Sequence, residues 1–364
     1  MVAGRVASID ALRGFDMMWI TGGEEVIHAL DKVIHHPVMK VVDEQFHHVR
    51  WEGFHFYDLI FPLFLFIVGL VLPFSLTRRL EAAPARHGQI YRHLVRRLLL
   101  LLVLGWVYYG LLDFRFHDLR LAGVLQRIAV CYFLAALVVM NTGVRGQALT
   151  VAAVLLLYWA VIMLTPVPGF GAGVLTPEGN LGAWVDQHVL PRPYCCNTYG
   201  DAEGILSTFP AVCSTLLGVL AGHWLRSDRS GNRKALGLAL SGVGSLLVGL
   251  IWGHWFPVIK YLWTSSYVLV AGGWSLLLTA LFYYIIDVRG YRRWSCFFAV
   301  IGTNAITIYL ARRLFDFDAL ANVFVHSLIG YLGAWMPVGM AVSSLAAGWL
   351  FLWFLYHQKI FLKV

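Results

Sequence analysis

A chain of 364 residues, 59% of them hydrophobic and only 13% charged, carries about half the charge that a soluble protein spreads over its surface. With 14 Trp, 16 Tyr and 23 Phe and a mean hydropathy of +0.70, it has too little polar surface to face water all round, which excludes a soluble globule and leaves lipid as its main solvent. The net charge of +8 would suit nucleic acid, but the basic residues sit in short clusters between apolar runs, so that reading is set aside.

Stretches of about 20 apolar residues, the length of helix that crosses roughly 30 Å of hydrocarbon, define the elements. In chain order they lie near Ile9 to Leu30, Phe56 to Leu76, Leu94 to Leu112, Leu119 to Met140, Ala148 to Thr165, Ile205 to Leu225, Ala235 to Trp252, Leu262 to Ile286, Phe297 to Leu310 and Pro337 to Tyr356. The fold class read from them is an all-α polytopic membrane helix bundle of about ten spans, forming a single transmembrane domain over 1–364. Phe317 to Trp335 holds Asp318, Asn322 and His326 among apolar residues and reads as an interfacial or re-entrant helix in preference to an eleventh span. The first apolar run is interrupted by Asp10, Arg13 and Asp16, unlike a cleavable signal, so Met1 is expected on the mature chain.

Lys and Arg accumulate after the second run (Arg78, Arg79, Arg86, Arg92, Arg96, Arg97), after the sixth (Arg226, Arg229, Arg233, Lys234) and after the eighth (Arg289, Arg292, Arg293). These loops fall on one side together with both termini, and Lys359 and Lys363 agree. Short basic loops stay in the cytosol, so both termini are expected to be cytoplasmic, in a bacterial inner membrane. The opposite side receives Asp31 to Trp51 and the loop 166–204, whose Pro166, Pro168, Gly169, Gly171, Gly173, Pro177, Gly179, Pro191 and Pro193 predict an extracytoplasmic cap without helix. The five cysteines, at 131, 195, 196, 213 and 296, have neither metal-ligand spacing nor a disulfide framework. Cys195 and Cys196 are expected to pack without bonding to each other. No period of 20 to 50 residues repeats.

Ionisable side chains inside a membrane helix cost about 2.5 to 3.5 kcal/mol on insertion scales, so each marks a site or a paired scaffold. Asp10 and Arg13 share a helical face with Ser8 and Asp16 and read as an internally neutralised structural pair. Arg127 has no acid at i±3 or i±4, so another helix or a ligand must answer it. His47, His48 and Glu52 precede Asp58 and the Phe61-Pro62 start of an apolar run. Imidazole takes and returns a proton near neutral pH, which acyl transfer to an amine or hydroxyl requires. A metal site from His35, His36, His47 and His48 is disfavoured, because adjacent histidines diverge on any regular element and no second cluster supplies further ligands; no metal is expected.

Ser8-Ile9-Asp10-Ala11-Leu12-Arg13-Gly14, His48-Val49-Arg50-Trp51-Glu52-Gly53 and Asp58-Leu59-Ile60-Phe61-Pro62 are followed by Arg120 with Gly123 to Arg127, Pro166 to Gly169, Glu203 to Leu206, Leu262 to Tyr267, Asn304, and Lys359 to Phe361. In this order and spacing the chain resembles the heparan-α-glucosaminide N-acetyltransferase family of transmembrane acyltransferases. The resemblance implies transfer of an acetyl group from cytosolic acetyl-CoA, as co-substrate, to an amino sugar on the periplasmic or lumenal face. The family's active histidine aligns with His48, as catalytic base or acetyl carrier. Asp58 is the candidate to orient it, with Asp10 and Arg13 as structural support. Arg127, Gln126 and Asn304 are cofactor-side candidates, and Glu203, Trp263 and Tyr267 acceptor-side candidates, the aromatic pair by stacking. Three departures are expected to bear on the acceptor: no counterpart of the family's large lumenal N-terminal domain is expected within these residues, its asparagine near the end of the first span is replaced around Thr21, and a histidine of its ninth span is Arg312. The expected partners are the bilayer, a glycan acceptor and a second copy in a homodimer. The competing class is an amino-sugar carrier that uses the intramembrane Asp and Arg residues for substrate and proton coupling.

Overall fold

An apolar run in lipid can satisfy its backbone only internally, and helix is the form most of the described residues take. The computed structural model describes residues 6–82, 87–114, 116, 119–196 and 198–362. Met1, Arg86 and Lys363 lie outside the described residues. In chain order the helices are α1 (Ala7–Met18), α2 (Glu24–Asp31), α3 (Pro37–Gln45), α4 (Ile60–Leu72), α5 (Arg78–Ala82), α6 (His87–Tyr108), α7 (Val124–Asn141) and α8 (Val144–Leu164). They continue as α9 (Leu181–Val189), α10 (Ile205–Arg226), α11 (Gly231–Trp252), α12 (Ser265–Tyr283), α13 (Ser295–Thr303), α14 (Ala305–Leu314), α15 (Phe317–Ile329) and α16 (Met336–His357).

Among the described residues seven helical stretches are long and apolar enough to cross a membrane, and α13 with α14, bent by 70° at their break, makes an eighth if the pair is one span. The protein is thus an all-α integral membrane protein. The first apolar run differs from expectation by being broken. A π-helical turn at Trp19–Gly23 carries non-helical Thr21 and Gly22, the latter at φ +116°, and separates a 12-residue α1 from an 8-residue α2; glycine adopts that φ without a side-chain penalty. α6 carries Arg92, Arg96 and Arg97 in its first half. α15 has 13 residues, a reach of about 20 Å and less than a span.

The loop 166–204 also differs from its reading as helix-free. Leu181–Val189 is helical because the Asn180 side chain accepts from the Ala183 amide at 2.7 Å, capping the first turn. Val167 and Leu181 from this loop pack with Tyr158, Ile162 and Phe256 in a buried cluster. Cys195 and Cys196 form a disulfide with each other, against the expectation that they only pack.

The residues fall into two compact units. One comprises the chain up to Val49, His55–Ile60 and the part from Leu278; the other comprises Arg50–Phe54 and Phe61–Leu277. In the first, α1 lies against α13 so closely that a Cβ on Gly14 would stand 1.7 Å from the Phe298 carbonyl oxygen. In the second, α10 packs on α7, α8 and α9, and a Cβ on Gly218 would stand 1.9 Å from the Phe66 carbonyl oxygen of α4. Small residues that admit backbone-to-backbone approach are how helices associate where lipid offers no hydrophobic drive.

Candidate active site

In the first unit the segment from α3 to α4 is tied down by polar contacts. His36 caps α3 by accepting from the Val38 amide at 3.2 Å, and Gln45 Oε1 accepts from the Phe56 amide at 3.2 Å. Asp58 stands in the 3-10 turn Phe56–Leu59 that leads into α4, where it closes a capping box with His55. Its Oδ2 accepts from the His55 amide at 3.1 Å and from the Val49 amide at 3.3 Å. Its Oδ1 accepts from His48 Nδ1 at 2.8 Å. The carboxylate is 1% exposed and the imidazole 43%. Donation from Nδ1 to a carboxylate fixes the tautomer and puts the basic lone pair on Nε2, the orientation a general base needs. The His48 ring lies 4.8 Å from that of Tyr57, whose hydroxyl is hydrogen-bonded to Glu24.

The structure gives three of the four histidines weighed above for a metal different partners: His36 its helix cap, His48 Asp58, and His47 Nε2 the Asp43 carboxylate at 3.1 Å. Asp10 Oδ1 and Arg13 Nη1 are 3.6 Å apart, and Arg13 also donates to the Gly302 carbonyl at 3.4 Å. Asn304 sits at the α13–α14 bend, where its Nδ2 donates to the Ile360 carbonyl at 3.1 Å and its Oδ1 accepts from the Leu362 amide at 3.4 Å, holding the C-terminal segment. Thr21 and Arg312, two of the three departures noted above, both stand at the α1–α2 break. Thr21 Oγ1 donates to the Met17 carbonyl at 2.7 Å, and Arg312, 3.6 Å from Glu25, covers Gly22 so tightly that a Cβ there would stand 2.9 Å from its Nη2.

The second unit gathers the other candidates. Arg120 donates from Nε to Asp201 Oδ2 at 2.8 Å, pairs through Nη2 with both Asp201 and Glu203, and donates from Nη1 to the Tyr109 hydroxyl at 2.8 Å. Glu203, an acceptor-side candidate, is therefore one arm of a buried ion-pair cluster. Asp186, on α9, accepts from the amides of Asp201 at 3.1 Å and Ile205 at 3.0 Å; burial outweighs these bonds and pushes its carboxyl up to about 6. Arg127 finds its partners on α10: Nη2 donates to the Gly204 carbonyl at 3.1 Å and to the Ser207 hydroxyl, and the guanidinium lies 4.9 Å over the Trp263 ring. It is 2% exposed, and its Nε and Nη1, like both amide atoms of Gln126, have no hydrogen-bond partner among the described residues. Trp263 donates to Ser214 at 3.2 Å and meets Tyr267 edge-on at 5.2 Å. Trp51 stacks on Tyr261 with ring centroids 5.6 Å apart, at the wall of a pocket that Asp186, Asp201 and Ser207 also line.

Sequence reasoning missed Tyr57, Glu24, Asp186, Ser207 and the Trp51–Tyr261 pair. Each of them takes its place through contacts between segments separated in the sequence.

Residues 5–254 match the family model described as "Heparan-alpha-glucosaminide N-acetyltransferase, catalytic". The heparan-alpha-glucosaminide N-acetyltransferases of Mus musculus and Homo sapiens are each 26% identical to the chain over 326 residues, an alignment covering 74% of this chain and 49% of each relative. The chain spans about half the length of the relatives it matches. The matched region includes His48, Asp58, Arg120, Arg127 and Glu203, and by that match the chain belongs to the heparan-α-glucosaminide N-acetyltransferase catalytic-domain family.

Proposed function

We propose that this protein is a membrane-embedded acetyltransferase that moves an acetyl group from cytosolic acetyl-CoA to an amino sugar of glucosamine type on the periplasmic side. The observation that carries this reading is the hydrogen bond from a half-exposed His48 to a buried Asp58, inside the stretch matched by the family. His48 Nε2 takes a proton from the acceptor amine as the new N–C bond forms and the C–S bond breaks, and then hands that proton to the departing thiolate. Asp58 is a positioning residue that holds the tautomer and favours the charged ring while it exists.

Acetyl-CoA supplies the activated acyl group. Arg127 and Gln126 fit an anionic or carbonyl group of that co-substrate, because buried donors without partners are costly unless a ligand satisfies them. Asn304 is a third candidate on the cofactor side. Glu203, Trp263 and Tyr267 are the acceptor-side candidates, and Asp10 with Arg13 brace α1. Counting α1 with α2 as one broken span, and α6 as another, adds two to the eight above and makes a ten-span domain. Its basic loops and termini face the cytosol, 166–204 caps the other side, and two copies associate as a homodimer.

The test is purified protein in detergent with acetyl-CoA and a panel of glucosamine-containing acceptors, following free CoA and acetylated product. Wild type turns over and His48→Ala does not. Acetyl-CoA left intact by wild type, with vesicles that instead accumulate labelled amino sugar, would replace the enzyme by a carrier.

A further inference from the structure

Next to the His48–Asp58 pair lies a second group of side chains that the transfer reaction does not use. Asp43, in the last turn of α3, is approached by two imidazoles. His28 Nδ1, from α2, lies 2.6 Å from its Oδ1, and His47 Nε2, one turn after Asp43 in sequence, lies 3.1 Å from its Oδ2. The two rings are stacked, with centroids 4.4 Å apart and planes inclined by 22°. One ligand atom from each of the three residues lies within 4.8 Å of the other two. The three side chains are 27%, 16% and 59% exposed, so an ion and its water ligands have access.

We propose that His28, Asp43 and His47 form a binding site for a divalent transition-metal ion of the zinc type, with water completing the coordination. Imidazole nitrogen binds zinc at about 2.0–2.1 Å and carboxylate oxygen at about 2.0–2.2 Å, which in a tetrahedral site sets ligand atoms about 3.3 Å apart. The observed separations, 2.6 Å to one carboxylate oxygen and 3.1 Å to the other, are shorter than that spacing, and one ligand atom from each residue lies within 4.8 Å of the others, so the donors converge on one point and side-chain adjustments suffice to admit an ion. Without an ion, each imidazole must keep a proton on the nitrogen that faces the carboxylate. A divalent cation takes the place of both protons and is held by all three groups at once. Two nitrogens and one oxygen with open positions suit zinc, copper or nickel far better than calcium or magnesium, which select oxygen-only shells.

The site binds α2 to the end of α3, and His47 connects it to the loop beyond: its carbonyl accepts from His55 Nδ1 at 2.9 Å, and the next residue is His48. Occupancy therefore stiffens the segment leading to His48, but the binding itself does not rest on the reaction proposed above.

The experiment uses full-length protein purified in detergent through a histidine-free tag, stripped with chelator and titrated with Zn²⁺ against a chromophoric competitor. The expected result is one tight zinc per chain, lost in His28→Ala and in His47→Ala and retained in a His35→Ala/His36→Ala control, with zinc raising the Tm of wild type and not of the first two variants. Wild type that fails to bind zinc stoichiometrically, or binding that survives both single substitutions, overturns the proposal. Should the alanine variants not fold, X-ray absorption on zinc-loaded wild type decides. Scattering from two imidazoles supports the site, and a shell with none refutes it. Acetyl transfer is not part of any of these readouts, so failure here and failure of the acetyltransferase reading are separate results.

Discussion

Asp58 and Asp201 have side chains that are each 1% exposed, yet their partners differ. Asp58 faces an imidazole with 43% of its surface open; Asp201 faces a guanidinium with 9% open, which Glu203 also engages. A carboxylate behind an accessible histidine can hold a ring whose charge changes during a reaction. A carboxylate against a buried arginine meets a partner that never gives up its proton, and the result is a clamp across 81 residues of sequence. Burial of a charge therefore marks chemistry only when one member of the pair can titrate and can reach solvent or substrate.

The sharpest way to break this comparison is to remove each partner in turn. His48→Ala should lower acetyl-transfer kcat by about 10²- to 10⁴-fold while leaving the unfolding midpoint in detergent close to wild type, because the ring is half-exposed. Asp58→Asn should retain more activity than His48→Ala but lose some stability, since the carboxylate also accepts two backbone amides. Arg120→Ala should do the reverse of His48→Ala: it leaves the buried Asp201 and the part-buried Glu203 uncompensated, a loss of about 3–5 kcal/mol visible as a lowered denaturant midpoint. Equal effects of His48→Ala and Arg120→Ala on stability would erase the distinction between the two sites.

A further test uses pH. The Asp186 carboxyl is raised from 3.8 to about 6 by burial, so the native state holds its proton more tightly than the unfolded chain does. The cost of ionising it is absent below about pH 4, grows between 4 and 6, and is complete above 6, where it amounts to roughly 3 kcal/mol. Wild type should lose stability relative to Asp186→Asn as pH rises through that window, measured as the difference in unfolding midpoint at pH 4, 5, 6 and 8; a flat difference would show that Asp186 is not held protonated. The smallest effect is expected from Tyr57→Phe. It removes the hydroxyl bonded to Glu24 but keeps the ring beside His48, costing about 0.5–1.5 kcal/mol and lowering acetyl transfer far less than His48→Ala.

What could be read in advance followed the range of each interaction. The apolar runs after Phe56, Val124, Val144, Ile205, Gly231 and Ser265 were legible because the length of a span is a local property, and the structure has an apolar helix at each. The break at Thr21 and Gly22 was not, because Gly22-Gly23 and Glu24-Glu25 interrupt the run without fixing its geometry, and only the backbone reveals the turn. Helix α9 was hidden in a loop full of prolines and glycines, although Asn180 was a usable cap signal. His48 and Asp58 stood out as chemistry-bearing residues ten apart. The grouping of His28 with Asp43 and His47 did not, because it needs α2 and α3 to pack.

By itself, then, the order of residues determined the solvent, the helical class and the family, for hydrophobic length and motif spacing are written along the chain. Only the tertiary structure decided which buried polar groups pair with which partners. Arg120 with Asp201, Arg127 with Ser207 and Asn304 with Ile360 are joined across 81, 80 and 56 positions, and pairings over such distances exist only once the helices have packed.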